Sequence, residues 1–328
     1  MNIKYKKFNS VRKFGVEFEL SNNLSKRKIK SIIEKCSDKE VRTTRYALSY
    51  KNNYWHIKND SSCGPEGSEG PSGIEIATYI CSGLKDANHV SDVLNNIKFH
   101  NAQTNNFCGV HVHVDVSDFS ENDIGRLMLY WMAIEKVLIY ALPSSRWNNK
   151  YCRFLNPDIN HWVISYLYYN HDSSYIANFF RPRKDPIAET TCKRSSLNVM
   201  NFFHAIENES DIRKTVEFRC PEGTLSGDDA KSWILLFVNF VDYIKSKKSF
   251  PVKFFTKNMI SVKDMLFLFG LHHDNTFNFF DENFLLLRKW LLHRIIENVN
   301  SDLLDHSFKQ NNAKKEAKTL LDRIYKLN

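Results

Sequence analysis

Three short stretches, far apart in the chain, place an ionisable side chain at every second residue of an otherwise apolar run. They are Gly15-Val16-Glu17-Phe18-Glu19-Leu20, Gly109-Val110-His111-Val112-His113-Val114-Asp115 and Val216-Glu217-Phe218-Arg219. In a strand, residues i, i+2 and i+4 share one face. Glu17 with Glu19, His111 with His113 and Asp115, and Glu217 with Arg219 therefore each form one polar row. The intervening Val and Phe fill the opposite face. Such a chain folds around a sheet with one buried face and one face carrying carboxylates, imidazoles and a guanidinium. Lys, Ser and Thr would serve a merely solvated face, whereas these groups are the parts of a site for divalent metal and phosphate.

At 328 residues the chain is long enough for one large domain or two ordinary ones, burying roughly 75% of its unfolded surface. No run approaches the ~18 apolar residues of a membrane span. The opening Met-Asn-Ile-Lys-Tyr-Lys-Lys lacks the apolar stretch of a signal peptide, so a cytoplasmic protein is expected. Seven scattered cysteines (Cys36, Cys63, Cys81, Cys108, Cys152, Cys192 and Cys220) form no CxxC pair. They read as reduced thiols rather than a disulfide framework or a structural zinc site. Net charge is +9, and the first 50 residues hold thirteen Lys or Arg against five Asp or Glu. Lys26, Arg27, Lys28, Lys30 and Lys35 lie among Ile29, Ile32 and Ile33 at helical spacing. That cluster reads as a solvated helix face, the sharper alternative being attraction to a polyanion.

Residues 11–20 read as a first strand, with Asn23 or Ser25 capping the helix that follows. Tyr54–Lys58 and Ile74–Ile80 read as strands. Cys63–Gly73, with four glycines and two prolines, lacks the phosphate-cradling pattern and reads as a mobile flap or surface loop. Val90–Phe99 and Asp123–Leu142 show helical periodicity. Residues 144–183 show no period and read as an insertion. Val199–Phe203 alternates weakly, and Gly223–Asp229 reads as a turn capping a helix through Trp233, Phe237 and Phe240. Beyond 250 the chain looks helical. The fold class expected is α+β, an antiparallel or mixed sheet with flanking helices and a helical C-terminal part. The division expected is a catalytic domain over 1–245 and a helical extension over 246–328.

His-x-His-x-Asp on a strand invites a zinc reading. An oxygen-rich site with several carboxylates suits Mg²⁺ or Mn²⁺ better. Arg219 beside Glu217 then points to a phosphate bridging guanidinium and metal. In order, the chain carries Gly-Val-Glu-Phe-Glu, a Trp strand leading to Asp60-Ser61, Ile-Glu-Ile around Glu75 and Cys-Gly-Val-His-Val-His-Val-Asp. Arg194-x-x-x-Asn198 and Thr-Val-Glu-Phe-Arg follow. This order resembles the amidoligase family, one of the glutamine synthetase-like carboxylate–amine ligases, over roughly residues 11–240. The family's Ser-Pro after the acidic strand is replaced here by Ala77-Thr78.

The resemblance implies a curved antiparallel sheet whose concave face binds ATP with Mg²⁺, Mn²⁺ being an alternative. It implies metal ligation by Glu17, Glu19, Glu75, His111 and Glu217, with His111 a metal or phosphate contact. It also places Arg219 and Arg194 on the phosphates, Asn198 as a packing or substrate partner, and Asp60 among the functional acids. The activity implied is amide formation between a carboxylate and an amine through an acyl phosphate. Three alternatives stand beside it. One is a guanidino or other small-molecule kinase on the same face. Another is a zinc hydrolase built on His111, His113 and Asp115. The third is a non-catalytic nucleic-acid-binding protein resting on the basic helix. The partners expected are a carboxylate and an amine substrate, with an anionic peptide, polymer or modified nucleic acid among the candidates, and no membrane.

Overall fold

The computed structural model describes residues 10–21, 24–44, 53–63, 73–147, 149–155, 169, 172–179, 181, 193–207, 213–251, 254, 260–271, 282–298 and 307–326. Its strands are β1 (Lys13–Leu20), β2 (Val41–Thr43), β3 (Trp55–Asp60), β4 (Gly73–Ala77), β5 (Cys81–Ser82), β6 (Val110–Asp115), β7 (Leu197–Asn198) and β8 (Thr215–Phe218). Its helices are α1 (Lys26–Cys36), α2 (Gly83–Phe99), α3 (Glu121–Leu138), α4 (Ser174–Phe179), α5 (Met200–Glu207), α6 (Gly227–Lys245), α7 (Val262–Leu268), α8 (Glu282–Glu297) and α9 (Ser307–Lys326). The class is α+β, as the alternation and helical periods predict. Residues 64–72 of the expected Gly-rich loop, and much of 144–183, lie outside the described residues. Among the described residues, no helix is long and apolar enough to cross a membrane.

The chain divides into two compact units. One holds Ser10–Ser117 and Lys184–Val238, and within it all eight strands form one sheet in the order β2-β3-β4-β1-β6-β8-β7, with β5 also on β1. The β2–β3 pair is parallel and the rest are antiparallel. One face is apolar: Phe14, Val16, Phe18, Leu20, Ile74, Ile76, Val110, Val112, Val114, Val216 and Phe218 are all buried. Each such side chain contributes roughly 1.5–3 kcal/mol on leaving water. Phe218 stacks on Phe237 of α6, ring centroids 4.3 Å apart, and Trp233 stacks behind it at 5.4 Å. The start of α6 lies so close to α2 that a Cβ on Gly227 would come within 2.4 Å of the Ser91 carbonyl oxygen. The Gly227 N–H instead donates to Asn95 Oδ1 at 2.9 Å.

Local signals set the ends of several elements. Ser25 caps α1 by accepting from the Lys28 N–H at 3.2 Å, and Ile29, Ile32 and Ile33 form its buried stripe. The weak alternation at Val199–Phe203 gives way to a helix, because Asn198 Oδ1 accepts the Met200 N–H at 2.9 Å and starts α5 there.

The other unit holds Asp118–Arg183 and Asn239–Asn328. Helix α3 is its core element, buried at nearly every position from Asp123 to Leu138 and started by a Ser120–Asp123 capping box. Gly125 is required there: a Cβ would stand 1.7 Å from the Ser173 carbonyl oxygen. Helix α7 has its own capping box, Ser261–Asp264. Glu316 of α9 accepts from the N–H groups of Val262 and Lys263, each at 3.0 Å, placing a carboxylate at that helix start.

Candidate active site

The polar face of the sheet gathers almost every ionisable residue that the sequence pattern singles out. Parity puts Lys13, Gly15, Glu17 and Glu19 of β1 on it, and register supplies the neighbours. Glu17 lies opposite His111, Glu19 opposite Glu75, His113 opposite Glu217, Asn198 opposite Glu217, and Lys58 opposite Glu75. Directly opposed residues have Cβ atoms about 5 Å apart, so these side chains meet.

Two clusters result. In the first, ligand atoms of Glu17, His113 and Glu217 all lie within 4.8 Å of one another. His113 Nε2 is 3.4 Å from Glu17 Oε1 and 3.9 Å from Glu217 Oε1. In the second, atoms of Glu19, Asp60 and Glu75 meet the same limit. His111 stands between the two. Its Nδ1 is 3.3 Å from Glu17 Oε2 and 3.5 Å from Glu217 Oε1, while its Nε2 is 3.5 Å from Glu19 Oε1.

The surrounding groups are held in turn. The Gly109 N–H donates to Glu19 Oε2 at 2.6 Å. Asn198 Nδ2 donates to Glu217 Oε2 at 2.8 Å, and Arg219 pairs with Glu217 Oε1. Asp60 Oδ1 accepts from both the N–H and the hydroxyl of Ser62. Lys58 Nζ is 2.8 Å from Glu75 Oε1. Arg194 is half-buried in the turn before β7, four residues ahead of Asn198. Asp115 is on the same face, but its carboxylate accepts from the N–H and hydroxyl of Ser117. Among the described residues it belongs to neither cluster. Thr78, at the Ala77-Thr78 departure, serves the sheet: its Oγ1 accepts the Val16 N–H at 3.0 Å and donates to the Tyr79 carbonyl at 2.8 Å.

Lys58 and His56 are polar-face residues that the sequence motifs did not mark. Their signal was the same period of two, since His56, Lys58 and Asp60 share parity on β3. His56 is buried and contacts Thr44 Oγ1.

The charges differ between the clusters. Burial would raise the Glu17 carboxyl, but the imidazoles of His113 and His111 hold it well below the usual range. Burial is likewise outweighed at Glu217 by Arg219, His113 and His111, and its carboxyl is lowered. His113 is pushed down by burial yet lifted more strongly by Glu17 and Glu217, to about 9. The second cluster behaves oppositely. Burial, with Asp60 adding to it, raises Glu19 against the opposing pull of His111. Burial and then Glu17 push Glu75 well above the usual carboxylate range, against Lys58. The first cluster thus holds carboxylates around a protonated imidazole, and the second tends to keep its protons. A dication binding at either would displace protons from its ligands.

Two buried atoms mark where such ions fit. Among the described residues, His113 Nε2 and Glu75 Oε1 lack a hydrogen bond of good geometry, although Glu17 and Lys58 stand near them. A buried polar atom left so calls for a water or an ion, and there is one in each cluster. The donor sets, two carboxylates with an imidazole and three carboxylates, suit a hard divalent ion such as Mg²⁺ or Mn²⁺.

A family model described as "Putative amidoligase enzyme" matches residues 10–241, which include every polar-face residue from Lys13 to Arg219. No curated protein matches the chain. The match takes in well over half of the sequence, and by it the chain belongs to the amidoligase family.

Proposed function

We propose that the protein is an ATP- and Mg²⁺-dependent carboxylate–amine ligase that forms an amide through an acyl phosphate. The observation that carries this reading is the pair of metal-sized clusters side by side on one sheet face, with Arg219 against the first. Amide formation in water is uphill, and coupling to ATP is what such an arrangement of metal ligands and guanidinium would serve. A hydrolase needs only one such cluster, and Asp115 is turned to its own loop.

In this reading Glu17, His113 and Glu217 hold one Mg²⁺ or Mn²⁺, and Glu19, Asp60 and Glu75 a second, with His111 bridging the clusters. The bound ions supply neutralisation of charge on the β- and γ-phosphate oxygens. Arg219, held in place by Glu217, and Arg194 stabilise charge on the transferring phosphoryl group. Asn198 fixes Glu217 through its amide, so the first cluster keeps its shape. Lys58 offsets the charge crowded around Glu75. The substrate carboxylate attacks the γ-phosphorus and ADP leaves. The amine then attacks the acyl carbon, the C–O bond to phosphate breaks, and the amine proton passes to solvent. The six described cysteines are all free thiols, which supports the reducing cytoplasm as the place of work.

The test is a thermal melt with Mg²⁺ and a non-hydrolysable ATP analogue together and singly. At about 100 times its dissociation constant the ligand adds roughly 2.7 kcal/mol. A shift that needs both components is expected. Carboxyl-¹⁸O acid should then deliver one label to inorganic phosphate as amide forms. Label that stays in a stable phosphorylated product identifies a kinase and ends the ligase reading.

A further inference from the structure

Along β1 the polar face runs from Glu19 through Glu17 and Gly15 to Lys13, two residues and about 6.7 Å per step. The metal clusters occupy its Glu19–Glu17 end. At the other end lies a pocket of about 180 Å³, and its lining includes Glu17, His113, Gly15, Lys13, Asp115 and Arg213. It shares Glu17 and His113 with the first cluster, whereas Glu217, Arg219 and the whole second cluster lie outside its wall. A molecule in it would reach the first cluster from the side away from Arg219.

The pocket's chemistry is set by two cations. Among the described residues, neither Lys13 nor Arg213 makes a hydrogen bond or ion pair through its side chain. Arg213 is partly buried, and burial pulls its pKa down with only the attraction of Asp115 opposing. Asp115 divides its own carboxylate between the N–H and hydroxyl of Ser117, at 3.3 and 3.1 Å. A half-buried guanidinium and an ammonium at one end of a pocket are most completely satisfied by an anionic group. Between them and the metal end, the floor is Gly15. A Cβ built there would meet only Thr78 Oγ1, at 4.0 Å, and its φ is not in the left-handed region. Neither crowding nor backbone geometry requires this glycine, and any larger side chain would project into the pocket.

We infer that this pocket binds the acid substrate, and that the acid is a dicarboxylate. One carboxylate is anchored by Arg213 and Lys13, and the other is presented over Gly15 to Glu17 and His113. The inference rests on the ligase reading only for the fate of the presented carboxylate; the anchoring of a diacid stands apart from it. Arg213 and Lys13 are thus specificity residues, and Gly15 supplies the room.

The experiment titrates the full-length protein calorimetrically with glutarate and with butyrate, each with and without Mg²⁺ and the non-hydrolysable nucleotide. Glutarate should bind at least tenfold more tightly than butyrate. Arg213→Gln should erase that preference, and Gly15→Val should block both acids. Both variants should keep the thermal shift given by Mg²⁺ and nucleotide, which also shows that they fold. No preference for the diacid under any condition overturns the inference, as does a preference that survives both substitutions. Loss of the nucleotide shift in Arg213→Gln would put phosphate on these cations and overturn it too. A preference that depends on Arg213 in a protein showing no nucleotide shift would sink the ligase function and leave the diacid pocket standing.

Discussion

Glu17→Gln keeps the size of the side chain and removes one charge from the centre of the first cluster. The consequence falls first on His113, whose Nε2 lies 3.4 Å from Glu17 Oε1 and 3.9 Å from Glu217 Oε1. Burial alone would lower that imidazole; Glu17 and then Glu217 lift it from 6.5 to about 9. A lift of that size corresponds to about 3 kcal/mol, each tenfold in proton affinity being worth ~1.4 kcal/mol. The sign follows from linkage: a raised folded pKa stabilises fully below the unfolded value and is lost as pH rises through the folded one. His113 therefore stabilises the metal-free fold below about pH 6.5, and that contribution fades as pH rises through about 9. With Gln at position 17 the first-ranked attraction is gone and burial gains. The imidazole should then titrate near or below 6.5, and most of the 3 kcal/mol dependence should vanish. The assay is an NMR titration of the His113 ring in metal-free protein, wild type beside variant, with urea unfolding at pH 6 and pH 10. A wild-type ring titrating near 6.5, or a ring at about 9 in both proteins, would refute the electrostatic argument.

Two further substitutions probe the same face. Arg219→Ala should remain folded and lose roughly 10³-fold or more in turnover, the usual effect of removing an arginine from phosphoryl transfer; retained steady-state ADP release would remove Arg219 from the chemistry. Asn198→Ala removes the donor to Glu217 and the acceptor for the Met200 N–H, at 2.8 and 2.9 Å, and should cost about 1–3 kcal/mol in urea unfolding. A loss within error of zero would show that Asn198 does not hold the cluster.

The period of two was the legible part of this molecule. It put Glu17 with Glu19 and His111 with His113 on one face before any neighbour was known, and the apolar partners Phe18, Val112 and Phe218 on the other. Register was not legible, because it depends on which strands pair and where. Nothing local in the chain says that Glu19 faces Glu75 or that His113 faces Glu217. That is why His113, which parity treated no differently from Asp115, stands within the first cluster while Asp115 bends to Ser117. Lys58 was readable in principle from its parity with Asp60. Arg213 was not, since it precedes β8 and has no strand of its own to set its direction. Helix starts were blurred where polar residues led: α2 begins at Gly83, at positive φ, seven residues before Val90 opens the apolar period.

The central claim is that the two carboxylate clusters are neighbouring divalent-metal sites on a nucleotide-binding face. Anomalous diffraction from crystals grown with Mn²⁺ and a non-hydrolysable ATP analogue tests it most directly. The account predicts two manganese peaks. One should lie about 2.1 Å from ligand atoms of Glu17, His113 and Glu217, and the other at that distance from Glu19, Asp60 and Glu75, with phosphate oxygens and Arg219 beside the first. Nucleotide bound elsewhere, or manganese absent from both clusters at saturating concentration, would contradict it.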